Sequence, residues 1–226
     1  MSRLSVAIDG PAGAGKSTVA RRVAAELGLT YVDTGAMYRA ITWKTLQENK
    51  DPEDEASVSR LARDTDLRLT AGKGGVDVWV DGEKVTEAIR TPEVTSQVSR
   101  IAGQAGVRKV LTDKQRAMAR QGGVVMDGRD IGTQVLPNAD VKVFLTASIE
   151  ERAQRRHLEL VRRGFEVNPE QLKEEIRNRD EKDRNREHSP LRPAEDAVHV
   201  DTTGLSIEEV VQSILHLCRS RVSGGE

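Results

Sequence analysis

Gly10-Pro11-Ala12-Gly13-Ala14-Gly15-Lys16-Ser17-Thr18 is the stretch on which the reading of this chain turns. It matches G-x-x-x-x-G-K-[ST], a phosphate-binding loop. Before it, Leu4 to Ile8 is a short apolar run that reads as a buried strand, closed by Asp9. After it, Val19, Val23 and Leu27 recur at helical spacing, and Gly28 supplies a stop. A strand feeding a glycine-rich turn and then a helix is the geometry the motif needs. The glycines let backbone N–H groups curl inward around phosphate oxygens. The helix N-terminus adds its partial positive charge. Lys16 then reaches the β- and γ-phosphates, and Ser17 offers its hydroxyl to Mg²⁺.

Working outward, four more short apolar runs alternate with helical patterns: Thr30 to Val32, Val124 to Met126, Val141 to Leu145 and Ala197 to Val200. This rhythm predicts a parallel sheet with helices on both faces. Such sheets bind ligands at the carboxyl ends of their strands. Asp9, Asp33, Asp127 and Thr146 follow the runs and are therefore candidates. Residues 66 to 86 break the rhythm. Leu67 and Leu69 alternate, as do Val76, Val78 and Val80, with a turn at Gly72 to Gly75 and a hairpin signal at Asp81-Gly82. A small antiparallel meander is expected there, with Trp79 on the parity opposite to the valines. The last helix has a capping box in Ser206 and Glu209, and an apolar stripe from Ile207 to Cys218. The tail from Ser223 is expected to be loose.

Composition narrows the partners. The 226 residues suit a single domain with an insertion. A net charge of −1 offers no bulk attraction to nucleic acid or to an anionic membrane. An anionic substrate must be held by locally gathered cations, and 25 of the 35 basic residues are arginine, which suits bidentate phosphate contacts. The single Cys218 supplies neither a disulfide framework nor a cysteine metal site. No secretory leader and no apolar run near ~18 residues is evident, so the cytoplasm is the expected compartment.

Three further segments carry chemistry. Asp33-Thr34-Gly35-Ala36-Met37-Tyr38-Arg39 follows the second strand. Thr34 suits an N-cap, Arg39 a phosphate grip and Tyr38 a ring contact. Asp127-Gly128-Arg129-Asp130-Ile131-Gly132-Thr133 packs two acids and an arginine between glycines at the end of the third strand. Asp127 suits ordering of the Mg²⁺ water shell, Arg129 a phosphate, and Asp130 a ligand amine. Residues 150 to 188 are densely charged, with Asn168-Pro169 opening a helix and Arg152, Arg155 and Arg156 on an earlier helix starting near Ser148. Arginines on a helical hairpin suit a lid that closes over phosphates. Residues 179, 183 and 186 share a face if that stretch is helical.

Taken together, these motifs resemble the bacterial cytidylate kinase family. The matching pieces are Asp9 through Thr18, Asp33 through Arg39, Asp127 through Thr133, and Arg179 through Arg186. The resemblance implies a P-loop kinase fold for residues 1–226, with a parallel sheet of order 2-3-1-4-5. It implies a monophosphate-binding insert at about 60–100 and a lid at about 150–187. The implied reaction is γ-phosphoryl transfer from ATP to CMP or dCMP with Mg²⁺, by a monomer. The family's pattern puts Ser99, Arg108 and Asp130 at the cytosine with Tyr38 beside the base and Thr34 nearby. It puts Arg39, Arg129 and Arg186 at the acceptor phosphate, and Arg179 and Asp183 at the ribose. Lys16, Asp127, Arg129 and Arg155 are the candidates for the transfer step.

Other readings stay open at this level. A kinase of UMP or of a small alcohol would carry the same loop. A GTP-hydrolysing switch is disfavoured, because Thr112-Asp113-Lys114-Gln115 does not fit the guanine-reading [NT]-K-x-D pattern.

Overall fold

The computed structural model describes residues 4–72, 75–120, 122–162 and 164–223. In chain order the elements are β1 (Ser5–Asp9), α1 (Lys16–Leu27), β2 (Thr30–Asp33), α2 (Thr34–Gln47), α3 (Glu55–Asp64), β3 (Leu67–Gly72), β4 (Gly75–Val80) and β5 (Glu83–Lys84). They continue as α4 (Pro92–Ile101), α5 (Ala105–Ala119), β6 (Val124–Gly128), β7 (Val141–Thr146), α6 (Ile149–Arg162), α7 (Pro169–Asn185), β8 (Val198–Asp201) and α8 (Ile207–Ser223).

Five strands form one parallel sheet, β2-β6-β1-β7-β8. Numbered among themselves they run 2-3-1-4-5, the expected order. The pleat sends alternate residues to opposite faces. Val6 and Ile8 of β1 pack with Val19 and Val23 of α1 and with Val211, Ile214 and Cys218 of α8. Ala7, between them, joins the other core with Met37 and Ile41 of α2 and Leu111 of α5. Burial pushes the Cys218 thiol up to about 11, which keeps it protonated and inert within the core. Each strand runs one or two residues further than its apolar run. Asp9 pairs with Gly128, Asp33 with Asp127, and Thr146 with Asp201. Ladder bonds are made by backbone, so a polar side chain need not end a strand. The last strand lies one residue later than expected, because the Ala197 N–H turns back to the Ala194 carbonyl while Asp201 joins the ladder.

The expected meander is the antiparallel sheet β3-β4-β5. Its inner residues Leu67, Val78 and Val80 join the core beneath α2. Trp79 faces outward, where its indole N–H donates to Thr70 Oγ1 at 3.0 Å. Asp81 and Gly82 both have positive φ, 50° and 86°, as their hairpin turn demands. Residues 73 and 74 of the Gly72 to Gly75 turn, and residues 224–226 of the tail, lie outside the described residues.

Helix ends follow their signals with one correction. Ser206 and Glu209 exchange their capping-box bonds at the start of α8. Asn168 accepts from the N–H groups of Glu170 and Gln171. Thr34, however, does not cap α2. Asp33 does, accepting from the Ala36 N–H at 2.8 Å. The strand ends directly in the helix, so the cap falls one residue earlier. That frees the Thr34 hydroxyl to donate to the Asp127 carbonyl at 2.7 Å.

Candidate active site

The phosphate loop sits at the carboxyl end of the central strand. Gly10 has φ 149°, and a Cβ there would lie 2.1 Å from the Leu145 carbonyl oxygen, so only glycine fits. Gly15 is the N-cap of α1 in the left-handed region, at φ 87°. No side chain caps this helix and its first turn holds no acid. Its leading N–H groups therefore face the loop's own concavity, an arrangement suited to an anion. Lys16 is buried and its Nζ donates to the Pro11 carbonyl at 2.7 Å, curling across the loop. Burial first, and Arg129 second, press its ammonium well below the usual lysine range.

Asp127 stands beside the loop. It accepts from Ser17 Oγ at 2.8 Å and from the Tyr31 hydroxyl at 2.7 Å. Burial and then Asp33 push its carboxyl above the usual range. Of the other strand-end candidates, Asp33 caps α2 and the Thr146 carbonyl accepts from the Thr202 N–H. Asp9 accepts from the backbone of Ile131 and Gly132.

The acceptor-side candidates come together. Thr34, Tyr38, Ser99, Arg108, Arg129, Asp130, Arg179, Asp183 and Arg186 all line one recess of about 60 Å³. Ser99 and Arg179 also line an adjoining cleft of about 700 Å³, which reaches Ala12 and Gly13 of the phosphate loop. Arg39 lies outside the recess and donates to Thr95 Oγ1 at 2.8 Å. Inside, Asp130 and Arg108 form a buried ion pair. The Arg108 guanidinium sits 5.3 Å over the Tyr38 ring. Arg129 pairs with Asp183 at 2.9 Å. Burial raises the Asp183 carboxyl, but Arg129, Arg179 and Arg186 outweigh it and hold it below the usual range. Arg186 is the residue that follows α7 rather than part of it, yet it still faces Asp130 and Asp183, at 4.0 Å each.

Cations dominate this pocket. Burial, then Arg179 and Arg156, lower Arg39 to about 9. Burial, then Arg129, lower Arg179 to about 10. Guanidinium keeps its proton at neutral pH, so these values express the cost of burying the charge and, second to that, of placing it beside other arginines. Arg179 Nε and Arg186 Nη2 are buried with no hydrogen-bond partner. A polyanion would relieve both costs at once.

The hairpin α6–α7 differs from expectation in one respect. Arg152 does not face the cleft. It is buried, pairs with Asp180 at 2.6 Å and donates to the Ala12 carbonyl at 3.1 Å. Arg155 is held by Thr202, donating to its hydroxyl at 3.0 Å and its carbonyl at 2.8 Å, and its Nη1 lies beside Gly15. Of the three, Arg156 is the one lining the cleft. Tyr31, Asp180 and Thr202 also belong to the site, though no motif in the sequence marks them. Thr202 directly follows the last strand, β8, and that strand-end position is its signal. Tyr31 lay inside a strand run and Asp180 inside a charge run, so neither stood out. Among the described residues, no cluster of three or more histidine, cysteine or acidic side chains is arranged to hold a metal. Among them too, no helix is long and apolar enough to cross a membrane.

Known proteins agree with this geometry. The profile of the cytidylate kinase family matches residues 6–220. A cytidylate kinase of Bacillus subtilis is 57% identical over 94% of this chain and 95% of its own. One from Bacillus cereus strain G9842 is 53% identical over 95% of this chain and 96% of its own. Among solved structures, a shikimate kinase from Bacteroides thetaiotaomicron superposes with a TM-score of 0.51 at 15% identity, over 96% of this chain and 99% of that one, a likeness of fold alone. The phosphate loop, the convergent recess and these relatives place the chain in the cytidylate kinase family.

Proposed function

We propose that this protein transfers the γ-phosphoryl group of ATP to CMP or dCMP, giving ADP and CDP or dCDP. The observation that carries the reading is the convergence of nine acceptor-side residues on one recess open to the phosphate-loop cleft. ATP lies along Gly10 to Thr18 with its phosphates on the first turn of α1. The monophosphate lies between α4 and α7, with Arg39, Arg129 and Arg186 on its phosphate, and Arg179 and Asp183 on its ribose. The base enters the recess toward Asp130, Arg108, Ser99 and Tyr38.

The chain needs no covalent intermediate. An acceptor phosphate oxygen attacks the γ-phosphorus in line, and the protein's work is positioning and charge stabilisation. Lys16 straightens from the Pro11 carbonyl onto the β- and γ-oxygens. Arginines from the recess and from α6 neutralise the equatorial oxygens as charge spreads. The Ser17 hydroxyl and the Asp127 carboxylate are hard oxygen donors held 2.8 Å apart at the edge of the loop, a set suited to Mg²⁺. Ser17 and Asp127 would hold Mg²⁺ there, and its charge would offset that of the ATP phosphates. Tyr31 keeps the second oxygen of Asp127 occupied and its carboxylate oriented. Residues at about 60–100 form the monophosphate-binding insert, and those at about 150–187 the lid. The enzyme works as a cytoplasmic monomer without nucleic-acid or membrane partners.

A coupled assay of ADP release with CMP, dCMP, UMP and AMP tests the reading. CMP and dCMP should be turned over far faster than UMP or AMP. Preferred turnover of another acceptor, or nucleotide hydrolysis that ignores the acceptor, would overturn it.

A further inference from the structure

The turn that carries Arg129 and Asp130 is anchored from below. Asp9 closes β1 opposite Gly128 of β6 and Phe144 of β7. Its carboxylate leaves the ladder and accepts two backbone bonds, Oδ1 from the Ile131 N–H and Oδ2 from the Gly132 N–H, each at 2.8 Å. Asp9 is only 4% exposed. The turn is thus pinned at both ends, Gly128 by the sheet and Ile131–Gly132 by Asp9. Only Arg129 and Asp130 lie between the pins, and both line the recess. Beyond the second pin the chain makes a wide turn, with the Leu136 N–H donating to the Ile131 carbonyl.

The choice of side chain is specific to this task. Two neighbouring N–H groups need two acceptor oxygens on one short side chain, and only a carboxylate offers them. Asparagine would keep one bond and set its amide N–H against the other donor. Burying a carboxylate near Asp130 is unfavourable, so an ordinary core position would hold an apolar residue instead. The next residue, Gly10, starts the phosphate loop with its backbone pressed on the Leu145 carbonyl. Asp9 therefore touches both halves of the site through rigid backbone.

We propose that Asp9 is a positioning residue for acceptor selection, holding the turn that presents Asp130 to the base and Arg129 to the phosphate, in register with the ATP loop. This rests on the reading of the recess as a pyrimidine site.

Three variants test it: Asp9→Asn, Asp130→Asn and the double replacement, each assayed with CMP and UMP. Asp9→Asn should raise KM for CMP and narrow the CMP-over-UMP ratio in kcat/KM, each by roughly tenfold, the size of one lost bond to a charged group. KM for ATP should stay within about twofold, since no ATP contact is removed. In the Asp130→Asn background, adding Asp9→Asn should leave the ratio where it is, because the two act through one turn. A merely stabilising Asp9 would lower the melting temperature and leave the ratio untouched. A folded Asp9→Asn enzyme with the unmodified ratio, beside an Asp130→Asn enzyme with a narrowed one, overturns the proposal. If Asp130→Asn itself leaves the ratio unmoved, the pyrimidine reading falls and the proposal with it. Amide exchange in the unmodified enzyme gives a check that needs no variant. The Ile131 and Gly132 N–H groups should be protected with and without CMP, and fast exchange at either without CMP overturns the anchor.

Discussion

Arg152 of α6 and Asp180 of α7 form a buried ion pair at 2.6 Å, and the same arginine nitrogen reaches the Ala12 carbonyl of the phosphate loop. One guanidinium thus joins both arms of the charged hairpin to the nucleotide loop. Removing it strands a buried carboxylate. Arg152→Met should destabilise the protein by about 3–5 kcal/mol, and adding Asp180→Leu should recover most of that. Denaturant melts of the three proteins check this. A single variant within about 1 kcal/mol of the unmodified protein would remove the pair from any structural role.

Closure of the α6–α7 hairpin over bound nucleotides is a further expectation to test. The recess is narrow, about 60 Å³, and opens on the larger cleft that reaches the phosphate loop. A phosphoryl-transfer site must close over its substrates to exclude water. Amide exchange across residues 150–187 should slow on binding a bisubstrate analogue. Tight binding with unchanged exchange there would count against a lid.

The arginine cluster should cost stability until an anion arrives. Arg179 is buried against Arg129 with an unpartnered Nε. Arg179→Met should therefore raise the stability of the nucleotide-free protein by about 0.5–2 kcal/mol. The unmodified protein should gain about 2.7 kcal/mol from CMP at a hundred times its Kd. At the same CMP concentration Arg179→Met should lose most of that gain. Thermal shifts with and without CMP read both effects. A variant destabilised without nucleotide would show that Arg179 braces the fold rather than awaiting a ligand.

How far the sequence carried this reading depends on where each signal lives. The phosphate loop is legible because its glycines answer local backbone demands, such as the 2.1 Å limit at Gly10. Tyr38, Arg129 and Asp130 stand out because they follow strands, and residues 179, 183 and 186 because they share a helical face, whereas the sheet order, Ser99 and Arg108 come only from resemblance to a family. Pairings are the part that could not be read. Arg129 takes Asp183 from 54 residues away, and Asp130 takes Arg108 from 22 away, instead of their immediate neighbours. Arg152 lies on an arginine-rich helix beside Arg155 and Arg156, and nothing local says which of them is buried. Such choices are settled by tertiary packing, where a charge run stops looking uniform.

Lys16 lies across its own loop, bonded to the Pro11 carbonyl. Moving onto the transferring phosphoryl exchanges a neutral acceptor for a charged one, which favours the transition state. Lys16→Met should lower turnover by on the order of 10³-fold with the fold intact. Circular dichroism and the coupled assay together check this, and near-normal turnover would remove Lys16 from the mechanism.

Base selection is the sharpest test of the recess. Cytosine offers an amine donor at N4, whereas uracil offers an acceptor at O4. Asp130 is buried, and one of its oxygens is already taken by Arg108. The other faces Arg186 at 4.0 Å, too far for a hydrogen bond and free to accept from an amine. The same oxygen would repel O4, and a buried charge left against an acceptor is costly. Asparagine can present either end of its amide. Asp130→Asn should therefore lose activity on CMP and narrow the CMP-over-UMP ratio in kcat/KM by at least ~10-fold, or about 1.4 kcal/mol. The alternative is that Asp130 only braces Arg108 over the Tyr38 ring. In that case both acceptors would suffer alike, and steady-state kinetics would show a lower kcat/KM for each with the ratio unchanged.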